Sequence, residues 1–126
     1  MVKILDNAHV ADTANIYDDA IVYGNAQVFD NAQVYGTSRV GGRSKIYDNA
    51  QVHDNAQVYG DAKIFGYAKV YDNAQVFSMT RVFGNAQIYG DSKVAAYSYI
   101  YGNARIFGNS YIRGTTGIRG KARIKY

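Results

Sequence analysis

The chain has no proline, no cysteine and no tryptophan, and none of its ten acidic residues is glutamate. Without cysteine, neither a disulfide nor a thiolate-bound metal can hold the fold together. Asp suits turns and Glu suits helices, so an acid set made wholly of Asp argues against helix. Long apolar runs are missing too. The opening Met1-Val2-Lys3-Ile4-Leu5-Asp6 is too short for a signal peptide core, and no later stretch could span a membrane. These absences lead us to expect one soluble domain, residues 1–126, made in the cytosol and without a membrane partner. Charge is uneven along it. Residues 1–63 carry five Lys/Arg against eight Asp, a net −3. Residues 64–126 carry nine against two, a net +7, and no acid follows Asp91.

What is present is a repeat. Counting by six from Ile4 to Ile124, all 21 positions are Val or Ile. Two residues earlier the slot holds Ala, Ser or Thr in every repeat except the first, which has Val2. The slot after the aliphatic is Tyr or Phe in 13 of the 21 repeats, followed most often by Asp or Gly and then Asn, as in Tyr71-Asp72-Asn73-Ala74-Gln75-Val76. Each slot has a physical task. β-Branched Val and Ile favour extended backbone and fill an interior. Asp, Gly and Asn supply turns. The small residue sits where the chain bends near the axis, and strand alternation then points Gln75 and Phe77 outward while Val76 points in. An unbroken period of this kind marks a solenoid.

The pattern resembles the hexapeptide-repeat, left-handed parallel β-helix family, whose motif is an aliphatic residue preceded by a small one two positions before. The likeness runs the whole length of the chain. It implies an all-β, single-domain, left-handed parallel β-helix of 21 hexapeptides in about seven triangular coils, with eighteen residues per coil and no inserted loop. In the family the slot after the aliphatic is usually small or acidic, whereas here it is mostly aromatic. The tandem Tyr-Asp-Asn-Ala-x-Val runs resemble a subgroup of bacterial and phage repeat proteins rather than the acyltransferases of the same fold.

With eighteen residues per coil, the outward slots stack into three faces. The second face then carries Phe29, Tyr47, Phe65, Phe83 and Tyr101 as an unbroken ring series, beside Lys45, Lys63 and Arg81. Stacked rings stabilise one another, and a large apolar surface marks a contact. Four hexads depart badly from the repeat: residues 40–45, 76–81, 94–99 and 112–117. All four begin on the first face and share the corner that leads onto the second. Cations among rings suit an anionic or aromatic partner. The candidate binding residues are therefore Arg43, Lys45, Lys63, Phe65, Met79, Arg81, Phe83, Tyr97, Tyr99 and Tyr101.

Chemistry is poorly supported. Of the two histidines, His53 occupies a ring slot between Tyr35 and Tyr71, and His9 lies in a polar outward slot. Two histidines cannot supply the three metal ligands of the β-helical carbonic anhydrases. Five of the six Ser fall in the inward small slot, as core fillers rather than nucleophiles. Stacked Asp at the corners read as turn residues before they read as calcium ligands. The expectation is a non-catalytic binding or assembly protein with no cofactor and no metal, forming a homo-oligomer, with a trimer favoured, through a flat aromatic face. The alternative is a binder that sequesters an anionic small molecule or nucleotide, such as a phage counter-defence protein. Nucleic acid is a weaker partner class, and acyltransfer a distant third reading.

Overall fold

The computed structural model describes residues 1–125. Every repeat contributes one short strand, such as Gln27–Val28 or Lys63–Ile64, and the described residues contain no helix. Residues eighteen apart pair in parallel, for example Val58 with Val40 and Val76. The strands form three parallel sheets of seven strands each. The first sheet runs through Val22, Val40, Val58, Val76 and Val94. The second runs through Val28, Ile46, Ile64, Val82 and Ile100, and the third through Val34, Val52, Val70, Ile88 and Ile106. The protein is thus a β-solenoid of about seven coils, with rungs spaced about 4.8 Å apart. No helix among the described residues is long and apolar enough to cross a membrane.

One continuous core fills the centre. From Val22 to Ile106 every aliphatic slot residue is fully buried, and so is every small-slot residue from Ala20 to Ala104. Where the small slot is Ser or Thr, the hydroxyl turns back on the corner. Ser44 Oγ donates to Gly41 O at 2.7 Å, Thr80 Oγ1 to Phe77 O at 2.8 Å, and Ser98 Oγ to Ala95 O at 2.7 Å. No buried side-chain nitrogen or oxygen among the described residues lacks a partner. These serines are core elements whose hydroxyls are already committed.

The corners explain the Asp/Gly preference. The residue after the ring slot adopts a left-handed backbone, φ near +60°, at Asp30, Asp48, Asp54, Asp72 and the equivalent glycines. Asp12 is an exception, and there Thr13 Oγ1 donates to Asp30 O instead. A Cβ placed at Gly60 would fall 2.5 Å from the backbone N of Ser78 in the next coil. An Asp at this slot brings the same Cβ but also an acceptor. Asp48 Oδ2 accepts the Gly66 N–H at 3.0 Å, Asp54 Oδ2 that of Asp72 at 3.2 Å, and Asp72 Oδ2 that of Gly90 at 3.0 Å. The carboxylate thus ties each turn to the one above it.

The outward rings lie down on the sheets. Tyr17, Tyr35, His53, Tyr71, Tyr89 and Phe107 form one stack, with centroids 4.7–5.1 Å apart and planes within 4° of parallel. Tyr17, Tyr35, Tyr59 and Tyr71 lean toward a glutamine of the next coil, so that Tyr71 Oη donates to Gln87 Oε1 at 3.0 Å and Tyr59 Oη to Gln75 Oε1 at 3.3 Å. Most rings are half-buried, and within the two long stacks only Tyr17 is exposed. This differs from the broad open aromatic surface that the sequence suggests: stacked rings hide their faces and show their edges. On the first face the series breaks, because Tyr23 lies over Gly41 and only Tyr59 and Phe77 stack.

Candidate functional site

The second face is built from two parallel columns. In-register pairing sets Lys45, Lys63, Arg81, Tyr99 and Gly117 one above the other. Two residues further along each strand runs the ring column Phe29, Tyr47, Phe65, Phe83 and Tyr101, with centroids 4.9–5.0 Å apart. Neighbouring cations at one-rung spacing repel by about 1 kcal/mol at the dielectric of water, and by more where they are partly removed from water. Among the described residues, no Lys or Arg side chain is paired with a carboxylate. Asp30 and Asp48, at the corner after this face, each accept a turn N–H, and Asp61 stands on the leading corner two residues before Lys63 without an ion pair to it. The cation column thus has no ion-pair partner among the described residues.

Cations and rings run side by side here, as two adjacent columns. The ring faces are covered by other rings, and the cation–π contacts of the described residues lie elsewhere, at Tyr111 and Phe107. The edge of each ring, not its face, accompanies the cations.

The leading corner stacks Arg43, Asp61, Met79, Tyr97 and Thr115. In most coils the residue in this position donates its N–H to the turn above, as Arg43 N does to Gly60 O at 2.6 Å and Met79 N to Ala96 O at 3.0 Å. The corresponding bond from Tyr97 to Gly114 is missing. Ala96 occupies the turn just before this gap. It holds φ +65° with a Cβ aimed at the next turn and, unlike Asp, offers that turn no acceptor. Gly114 above it has drifted to φ +85°.

Where the corner opens, a cavity of about 580 Å³ forms, lined by Tyr97, Tyr99, Tyr101, Thr115, Thr116 and Gly117. Tyr97 is 59% exposed and Tyr99 45%, in contrast to the half-buried rings below. Gly117 sits directly above Tyr99 and has no side chain to cover it. The upper coils thus end the ring and cation columns in uncovered tyrosine faces, with two hydroxyls alongside.

The structure brings nine of the ten sequence candidates onto the second face and the upper part of its corner: Lys45, Lys63, Phe65, Met79, Arg81, Phe83, Tyr97, Tyr99 and Tyr101. Arg43 stands at the lower end of the corner, about 14 Å below Tyr97 at the rung spacing, with Asp61 between it and Met79. Thr115, Thr116 and Gly117 were missed as lining residues. The irregular hexad 112–117 contains all three and was the available signal.

Two other groups bear on chemistry. The corner after the second face has a cavity of about 490 Å³ that includes Asp30, Asp48 and Tyr67, but Oδ2 of both Asp already accepts a backbone N–H. Among the described residues no three His, Cys, Asp or Glu side chains converge as a metal site. His53 Nδ1 lies 3.3 Å from Asp54 Oδ1. Burial pushes the Asp54 carboxyl up, yet the Asp72 N–H and His53 together outweigh it and leave it below the usual value.

These features define a parallel β-solenoid with three strands per coil. In comparisons with known proteins, a family model described as the YdcK β-solenoid repeat matches residues 14–28, a stretch within the first two coils. The likeness is to the repeat unit. None of the curated proteins searched matches the chain.

Proposed function

We propose that this protein is a non-catalytic binding solenoid whose second face holds an anionic ligand with a planar ring. The observation that carries this reading is the column Lys45–Lys63–Arg81, without an ion-pair partner among the described residues, which leads directly into the open tyrosine cavity. A flat group resting on Tyr99 and Tyr101 would place its anionic substituents over the ring edges and toward Arg81. Stacking and charge then act on one molecule, which is the chemistry of a nucleotide-like or sulfonated aromatic compound.

Pyrenetrisulfonate, a planar ring bearing three sulfonates, is a suitable probe by fluorescence titration. Binding is expected to be saturable, to be lost in Lys63→Glu and Arg81→Glu, and to persist in Lys69→Glu on the third face. Equal weakening by all three substitutions would reduce the effect to net charge and refute a site. A second reading is assembly of a homotrimer through the same face. Its support is flatness: seven in-register strands and a five-ring ladder make a surface with little relief. Light scattering separates the two readings, since a monomer that binds the dye leaves no role for the trimer.

A further inference from the structure

The third sheet carries a separate cluster of cations that the second face does not explain. Arg105 and Arg123 stack in register, Lys121 stands on the neighbouring corner above Asn103, and these four side chains line a cavity of about 350 Å³. The frame beneath them is regular. Asn103 N donates to Gly120 O at 2.7 Å, and Arg105 N to Ala122 O at 2.9 Å. Arg123 is also positioned by a ring, its guanidinium carbon 5.5 Å from the centroid of Phe107, the last ring of the long ladder. No acidic side chain follows Asp91 in the sequence, and among the described residues no carboxylate pairs with these cations.

From this arrangement we infer a second anion site, which takes a tetrahedral oxyanion group such as phosphate. Two guanidinium forks, an ammonium and an amide offer many donors around one opening, and the only side-chain acceptor among them is the Asn103 carbonyl. Guanidinium groups match the paired oxygens of such a group, which makes the selectivity geometric as well as electrostatic. The phosphate can be a free ion or one unit of a chain, and the chemistry of recognition is the same.

The test is a titration of ¹⁵N-labelled protein with inorganic phosphate and, separately, with linear polyphosphate, following the Arg Nε–H signals. Saturable shifts at Arg105 and Arg123 are expected, with Arg39 on the first face unaffected. Arg105→Gln, Arg123→Gln and their double variant should weaken binding roughly tenfold or more while the rest of the spectrum stays native. Lys63→Glu should leave this site intact, which separates it from the second-face reading. Saturation by phosphate alone identifies a free-oxyanion site; saturation only by polyphosphate identifies a chain-borne phosphate. Shifts that never saturate, or that appear equally at Arg39, would overturn the inference.

Discussion

Ala96 is the residue at which stability and the tyrosine cavity should trade against each other. It holds a left-handed backbone, φ +65°, in a column otherwise filled by Asp6, Ser78 and glycines. For a residue with a Cβ this conformation costs roughly 1–2 kcal/mol. Gly at the same position loses about 0.4–1 kcal/mol through the greater freedom of the unfolded chain. In the closed corners of the same column a Cβ built at Gly42 or Gly60 comes within 2.5–2.6 Å of backbone atoms in the next turn. Ala96→Gly should therefore stabilise the protein by about 0.5–1 kcal/mol.

The same change should let the turn at 113–116 settle onto the one below and restore the bond from Tyr97 N–H to Gly114 O. Urea unfolding measures the first effect. Pyrenetrisulfonate titration measures the second, since a closed corner should bind the dye less well than the native protein. Gly60→Ala is the control of opposite sign. It places a Cβ 2.5 Å from Ser78 N in a corner that is closed, and should destabilise by about 2–3 kcal/mol. If Ala96→Gly is destabilising, or stabilises without weakening dye binding, then Ala96 is not what opens the corner.

Three further outcomes follow from the core, the corners and the ladders. Val58→Asp puts an unpaired charge into a fully buried slot between Val40 and Val76 and should cost roughly 3–5 kcal/mol, whereas Tyr59→Ala should cost about 1–2 kcal/mol, from lost stacking on Phe77 and a surface hydrogen bond to Gln75; urea unfolding of both would show equal losses if the inward register were wrong. The Asp54 carboxyl ionises below its usual value when folded, so its stabilisation is fully present above about pH 4 and is lost as pH falls through the folded value; Asp54→Asn should flatten the acid limb of a stability–pH curve. Burial raises the Tyr35, Tyr47, Tyr59 and Tyr71 phenols above 10.0, so their neutral forms favour the fold below that pH and stability should decline as pH rises through the folded values, an effect that Tyr71→Phe should reduce.

The parts of this protein that were legible in its sequence are those that depend on one residue and its near neighbours. Val76 and Ala74 announce an inward strand and an inward corner because a six-residue period leaves them no other place, and both are fully buried. Asp72 reads as a turn residue for the same local reason. Its second role, accepting the Gly90 N–H, depends on a residue eighteen positions away and becomes visible only once the coils are stacked. The ring ladders were legible as columns, but their half-buried posture was not, because it arises from the lean of Tyr71 toward Gln87 in the next coil. The tyrosine cavity was harder still to read. It exists through things that are missing: a side chain at Gly117 and the bond from Tyr97 to the coil above. Pattern reading detects the residues that satisfy a repeat and flags the hexads that violate it. It cannot say whether a violation is absorbed, as Tyr23 absorbs Gly41 by lying over it, or is left open to bind something. That distinction rests on whether a neighbouring side chain is long enough to fill the space. Beside Gly41 there is a tyrosine on the rung below that leans across; above Tyr99 there is only Gly117, and the space stays open.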